Sequence, residues 1–405
     1  MPTISNRGGA LPASPIRKLA PFADAAKARG VKVYHLNIGQ PDIATPEAGL
    51  DVLRSVDRTI LEYSPSDGLL PVREKFVEYY ARCGVGVAAD EIIVTAGGSE
   101  AINFALQSCL DAGDEVIMTE PGYANYISFA QQVGVKVVSV PTSIDNGFAL
   151  PPVAEFEKYI TPRTRALLIC NPNNPTGYLY SRAEMEQIGE IARRHDLWLI
   201  SDEVYREFCY SDEPYFSAME LSGLEQNVVM VDSVSKRYSE CGIRIGMLVT
   251  HNKEVRAAAM KIAQARLSPP LLGQLVAAAS VDAPESYIDA IYDEYISRRD
   301  LLIAGLNAIP GVVSPTPRGA FYTMARLPVD DADRFCEWML SSFSCVPLGG
   351  SVPSTVMMAP GSGFYTEPER GRQEVRIAYV LNKGDIAAAL EVLARALEVY
   401  PGRVG

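Results

Sequence analysis

The sequence predicts an α/β protein in two parts: a large domain on a mostly parallel, doubly wound seven-stranded sheet, and a smaller α+β unit at the C-terminus. Three observations predict it. Seven short apolar runs fall between residues 91 and 250. Helical patterns separate several of them. Beyond residue 250 the texture changes to long helical stretches with fewer strand-like runs.

Taken in order, the first 45 residues show no strand alternation of their own and are expected to pack with the C-terminal unit. The runs then come as EIIVT (91–95), DEVIMT (114–119), VKVVSV (135–140), RALLIC (165–170), LWLIS (197–201), NVVMVD (227–232) and RIGMLVT (244–250). Apolar runs without clear alternation suit strands buried on both faces. Between them, SEAINFALQSCLDAG and SRAEMEQIGEIARRHD carry helical patterns, and strand–helix alternation marks a parallel sheet wrapped by helices. A helical region follows through KEVRAAAMKIAQARL, breaks at Ser268-Pro269-Pro270, and resumes to about Ile309. The strand-like AFYTMARL, the helix DADRFCEWMLSSF, the strand EVRIAYV and the helix DIAAALEVLARALEVY complete the smaller unit. The expected division is an N-terminal segment 1–46, a large domain 47–290 and a small domain 291–405.

Bulk composition narrows the function. The net charge of −12 argues against nonspecific binding to nucleic acid or an anionic membrane. Seven cysteines, an odd number with no C-x-x-C spacing, read as reduced thiols of a cytoplasmic protein. The polar N-terminus MPTISNRGGALPASP lacks the apolar core of a signal peptide. Three histidines far apart in sequence give no reason to expect a metal site.

The chemistry sits at strand ends. Asn174 follows RALLIC, Asp202 follows LWLIS and Lys236 follows NVVMVDSVS, so one strand–helix–strand unit separates each from the next. Parallel strands bring all three to the carboxyl edge of the sheet, where open α/β sheets bind ligands. Gly97-Gly98-Ser99 joins EIIVT to a helix, and small residues at a helix start expose N–H groups to an anion. Arg244 offers a forked contact to a phosphate, and Ser233 and Ser235 offer hydroxyl donors. An anion cradle, an edge carboxylate and a lysine together suit a phosphate-bearing cofactor with a cationic ring nitrogen and an aldehyde. Pyridoxal 5′-phosphate has all three. The one GxGxxA string, Gly84 to Ala89, precedes a strand instead of following one, which disfavours a dinucleotide site.

The chain also resembles the class I/II aminotransferases, fold-type I enzymes that use pyridoxal phosphate, and within them the aspartate aminotransferases. The likeness rests on NIGQPD, YSPSDGLLPVRE, TAGGSEA, EPGYANY, NPNNPTG, SDEVY, SVSKRYSECGIRIG, PRGAFY and VRIAY, in the family's order over nearly the whole chain. It implies that Lys236 binds the cofactor's aldehyde covalently and that Asp202 pairs with the ring nitrogen. Asn174 and Tyr205 would contact the phenolic oxygen, and Tyr123 would stack on the ring. Gly98, Ser99, Ser233, Ser235 and Arg244 would hold the phosphate. Tyr63 would reach the phosphate of a neighbouring subunit, which implies a homodimer. Arg376 would bind the substrate's α-carboxylate, beside Asn174, and the segment around Gly39 would close over it.

The implied reaction moves an amino group from an L-amino acid, aspartate first, to a 2-oxo acid such as 2-oxoglutarate. Alanine or an aromatic amino acid is the next choice, and a β-lyase on the same scaffold shares these residues. Some aspartate-specific relatives carry a lysine just after the paired glycines, where this chain has Ser99 and Glu100. A distal carboxylate would then need another cation, for which Arg237 and Arg318 are candidates.

Overall fold

The computed structural model describes residues 2–12 and 14–404. Among them, twelve strands form three sheets. In chain order they are β1 (Lys32–His35), β2 (Ile92–Thr95), β3 (Glu115–Glu120), β4 (Lys136–Pro141), β5 (Thr164–Cys170), β6 (Trp198–Asp202), β7 (Val228–Ser233), β8 (Gly246–Val249), β9 (Tyr322–Arg326), β10 (Ser354–Met357), β11 (Ala359–Pro360) and β12 (Glu374–Ala378).

The large sheet has seven strands in the order β2-β8-β7-β6-β5-β3-β4. Strands β3 to β7 are mutually parallel. Strand β8 runs antiparallel to both β7 and β2, so it alone is reversed. The period-2 alternation explains why the runs are apolar throughout. On β7, Val229 and Val231 enter one core with Phe104 and Phe129, while Val228 and Met230 enter the opposite core with Phe76 and Met185. Each such side chain contributes roughly 1.5–3 kcal/mol by leaving water.

A three-stranded antiparallel sheet, β11-β12-β9, stands beside the helices Ala332–Ser341 and Lys383–Val399. The helix Ala20–Ala28 packs on Ala332–Ser341, and β1 pairs in parallel with β10. The N-terminal segment is thus tied to C-terminal elements, and it contains a strand that the sequence does not announce. That strand is four residues long and buries only Tyr34, too little for an alternation to show.

Two other departures have local causes. RIGMLVT is not extended from its first residue, because Arg244 takes a left-handed φ of 58° and the strand begins at Gly246. The helical region after Pro270 is two helices, Leu271–Ser280 and Glu285–Asn307, because Pro284 stands between them as the N-cap of the second. The helix Glu285–Asn307 runs unbroken through residue 290.

Candidate active site

Register aligns the functional edge. Cys170 at the end of β5 pairs with Asp202, and Asp202 pairs with Val231 near the end of β7. Strand β8 then carries Gly246 between Ser233 on one side and Thr95 on the other. A Cβ on Gly246 would lie 2.5 Å from the Gly97 carbonyl carbon, so only glycine lets β8 sit this close to the glycine turn. The reversed strand therefore places Arg244 against Gly97, whose own Cβ would fall 2.3 Å from the guanidinium.

Together these edges enclose a cavity of about 830 Å³. Gly39, Gly98, Ser99, Tyr123, Asn174, Asp202, Tyr205, Ser233, Ser235, Lys236, Arg244 and Arg376 all line it. Tyr63 does not; its side chain lies on the surface, with the residue 77% exposed. Arg237 and Arg318 do not line it either. Arg237 is turned into the core and paired with Asp232, and Arg318 is exposed. Neither is available for a distal carboxylate.

Each side chain is held by its local sequence. Ser233 caps the single-turn helix Val234–Arg237, its Oγ accepting from the Ser235 N–H at 3.2 Å. Ser233 Oγ also donates to the Ile245 carbonyl at 2.8 Å. Lys236 leaves that turn toward the cavity, where its Nζ donates to the Gly39 carbonyl at 2.8 Å. Behind it, Asp232 accepts from the Ser233 N–H at 2.7 Å, from Tyr80 Oη at 2.9 Å and from Arg237. In NPNNPTG, Asn173 Oδ1 accepts from the Thr176 N–H at 3.2 Å, a side-chain-closed turn that presents Asn174. Gly98 opens the helix Gly98–Cys109, whose first N–H groups have no partner within the helix.

Asp202 is buried, and among the described residues no basic side chain pairs with it. Burial pushes its carboxyl from the ordinary 3.8 up to about 6, opposed by hydrogen bonds from Tyr126 Oη at 2.6 Å and the Val204 N–H. The stability it contributes is full below the unfolded value of 3.8 and lost as pH rises through about 6. In the cofactor-free protein, Asp202→Asn is expected to raise stability at pH 7.5 by up to roughly 3 kcal/mol. The gain should vanish below pH 4. Denaturant midpoints across that range measure it, and a pH-independent difference would refute it.

At the other wall, Arg376 leaves the middle strand β12 and is 1% exposed. It donates to Asn174 Oδ1 at 3.1 Å and to the Asn37 carbonyl at 2.5 Å. Among the described residues it meets no carboxylate, its Nε has no partner, and burial lowers its pKa. A buried guanidinium without an anion is costly, which marks this as a place for an incoming carboxylate. Tyr205 Oη meets Asn174 Nδ2 at 3.3 Å and Tyr322 Oη at 3.0 Å. Gly39 lies so near Tyr322 that a Cβ would overlap its hydroxyl at 1.6 Å.

Sequence reasoning misses Tyr126, Tyr322 and Asn37. Tyr126 stands three residues after Tyr123 in PGYANY, and their rings meet edge to face at 5.2 Å. That helical spacing is its only signal, and it fits a core aromatic equally well. Tyr322 ends PRGAFY, and Asn37 opens NIGQPD.

The profile of aminotransferases of class I and II matches residues 31–393. The chain belongs to this family. An aspartate/prephenate aminotransferase of Thermus thermophilus is 32% identical over 376 residues, covering 91% of this chain and 92% of that protein. Aromatic-amino-acid aminotransferase 2 of Thermococcus litoralis is 30% identical, covering 98% of each. Among solved structures, the aspartate aminotransferase of Thermus thermophilus with maleate superposes with a TM-score of 0.87 at 30% identity, covering 98% of this chain and all of that one. An alanine aminotransferase from Pyrococcus furiosus has the same TM-score at 29% identity, covering 97% and 99%. This aminotransferase shares with those structures an α/β fold on a mostly parallel seven-stranded sheet. Among its described residues no helix is long and apolar enough to cross a membrane.

Proposed function

We propose that this aminotransferase uses pyridoxal 5′-phosphate to move the amino group of an L-amino acid, aspartate first, to 2-oxoglutarate, in a ping-pong cycle. The observation that carries the cofactor is the buried Asp202, without a basic partner among the described residues, in the same cavity as Lys236 and the glycine turn. A carboxyl that burial has pushed up to about 6 is completed by a cationic ring nitrogen. The Gly97–Arg244 approach, with the Ser233 and Ser235 hydroxyls and the N–H groups of Gly98 and Ser99, suits a phosphate.

When bound, the cofactor supplies an aldehyde for covalent attachment and a ring that takes up the electron pair left at the substrate's Cα. Lys236 Nζ would hold the cofactor at that aldehyde and, as a free amine, would accept the proton from the substrate's Cα. Asp202 would keep the ring nitrogen of a bound cofactor protonated. Tyr126, donating to Asp202, fixes the carboxylate's orientation. Asn174 and Tyr205 would hold the cofactor's phenolic oxygen by hydrogen bonds, and Tyr123 would lie against its ring. Arg376 grips the α-carboxylate, with its other contacts to Asn174 and the Asn37 carbonyl holding its plane. Gly39 lies over the substrate.

In this reading residues 47–290 bind the cofactor, and residues 291–405 with the N-terminal segment 1–46 close the substrate side. A cytoplasmic homodimer completes it. The run Ile60-Leu61-Glu62-Tyr63 is exposed although three of its four residues are apolar, a surface suited to burial against a second copy, where Tyr63 would meet the partner's phosphate. Aspartate as donor rests on relatives bearing that name at about 30% identity.

Titrating the purified, cofactor-loaded protein with single amino acids tests this reading. Aspartate is expected to convert the lysine-linked absorbance to that of the aminated cofactor, and 2-oxoglutarate to restore it. Release of pyruvate and ammonia without amino transfer would instead identify a lyase.

A further inference from the structure

A second cavity, of about 480 Å³, lies apart from the active site and shares no lining residue with it. Its walls come from the turn after β4, from β9, and from the stretch 365–374 that leads into β12. Its size suits a small organic molecule.

Glu374 is the buried charge of this cavity. It opens β12 and is 6% exposed, yet among the described residues it forms no ion pair with a basic side chain. Tyr365 Oη donates to its Oε2 at 2.6 Å, and its Oε1 is left open toward the cavity. Arg326 stands directly opposite on β9. Opposite charges that face each other across an antiparallel pair ordinarily meet. Here Arg326 Nη1 turns instead to Asp145, in the turn after β4, at 2.8 Å. The other arginines of the wall are taken as well, Arg370 by Glu367 at 3.0 Å and Arg372 by Glu369 at 3.1 Å.

Glu374 is also fixed in place. A Cβ on Gly361 would fall 2.8 Å from the Glu374 Cβ, and one on Gly371 would fall 2.7 Å from Tyr365 Cδ2. The loop between these glycines is therefore folded tightly onto both side chains. Burial pushes the Glu374 carboxyl up to about 7, opposed by the Tyr365 hydrogen bond and the Arg326 charge, with Asp145 adding to the rise. A cation at Oε1 would reverse that cost. Among the described residues no group of three or more His, Cys, Asp or Glu is placed to hold a metal ion, so the cation that fits is organic.

We propose that this cavity binds a small organic molecule through a primary ammonium group that donates to Glu374. The site is separate from the chemistry proposed above and does not depend on it. An ammonium supplies both the charge and the hydrogen bond that a buried carboxylate needs. An amino acid would add a carboxylate for Arg326, whereas an alkylamine would not. Arg376 lies two residues further along β12, so the ligand would rest on the strand that carries the active-site guanidinium.

The test uses protein loaded with pyridoxal phosphate and reduced with borohydride, which closes Lys236 to amines. Propylamine, alanine and propionate are titrated separately by ligand-detected NMR. Propylamine and alanine are expected to bind, and Glu374→Gln to weaken both by about 10- to 100-fold while changing propionate by less than about twofold. Glutamine keeps an acceptor for Tyr365, so the loop should stay folded, and the thermal midpoint checks this. In the wild type, propylamine affinity should rise about 10-fold from pH 6 to pH 8, as the carboxyl ionises while the amine stays protonated. Alanine weakened by Arg326→Met would identify an amino acid as the ligand; alanine unaffected by it would identify a simple amine. No amine binding, binding that Glu374→Gln leaves intact, an equal loss for propionate, or an affinity flat between pH 6 and pH 8 would overturn the proposal.

Discussion

Lys236→Ala is expected to abolish amino transfer, by at least about 10⁴-fold in kcat, while the protein remains folded. In the proposed function the side chain supplies two functions at one atom: covalent attachment of the cofactor and movement of the Cα proton. Alanine removes both, and no other amine lines the cavity among the described residues. The fold has little at stake, because Lys236 is half-buried and its polar contacts are the Gly39 carbonyl and a 4.0 Å approach to Cys241 Sγ. The variant should therefore bind the cofactor without the visible band of the lysine-linked form. Absorbance and a coupled assay measure the two consequences separately. Wild-type turnover in this variant would end the proposed chemistry.

Arg237→Ala is expected to be the costliest single change to stability, at about 3–5 kcal/mol. Arg237 is 1% exposed, pairs with Asp232, and lies 4.2 Å from the centre of the Tyr79 ring. Truncation leaves Asp232, itself 0% exposed, with only Tyr80 and the Ser233 N–H. The uncompensated charge sets the cost, more than the lost attraction. Replacing both partners, Arg237→Met with Asp232→Leu, should thus recover much of the stability that the single variant loses. Chemical denaturation of the cofactor-loaded protein compares the two. A double variant weaker than the single would show that the pair itself, and not the stranded carboxylate, holds this turn.

Much of the architecture is legible in the sequence because it is locally encoded. An apolar run buried on both faces announces itself, as on β7, where alternate residues serve two cores. A polar residue at the end of such a run or a few positions beyond it, as at Asn174, Asp202 and Lys236, points to the sheet edge. What is not legible depends on distant contacts. Nothing in RIGMLVT says that its strand is reversed, or that Gly246 is needed for approach to Gly97. Tyr126 looks like any core aromatic until Asp202 is placed beside it. Arg237 stands next to the lysine in sequence and faces the opposite way, whereas Arg17 is remote in sequence and lines the cavity.

The contact between Arg376 and the Asn37 carbonyl joins residues 339 positions apart. A chain still emerging from the ribosome can complete the lysine turn and the sheet edge well before the guanidinium exists to meet that carbonyl. In the proposed function, competence for substrate would therefore arrive last in biosynthesis, and a prematurely terminated chain would have the lysine turn and the sheet edge without the guanidinium proposed to hold an amino acid there.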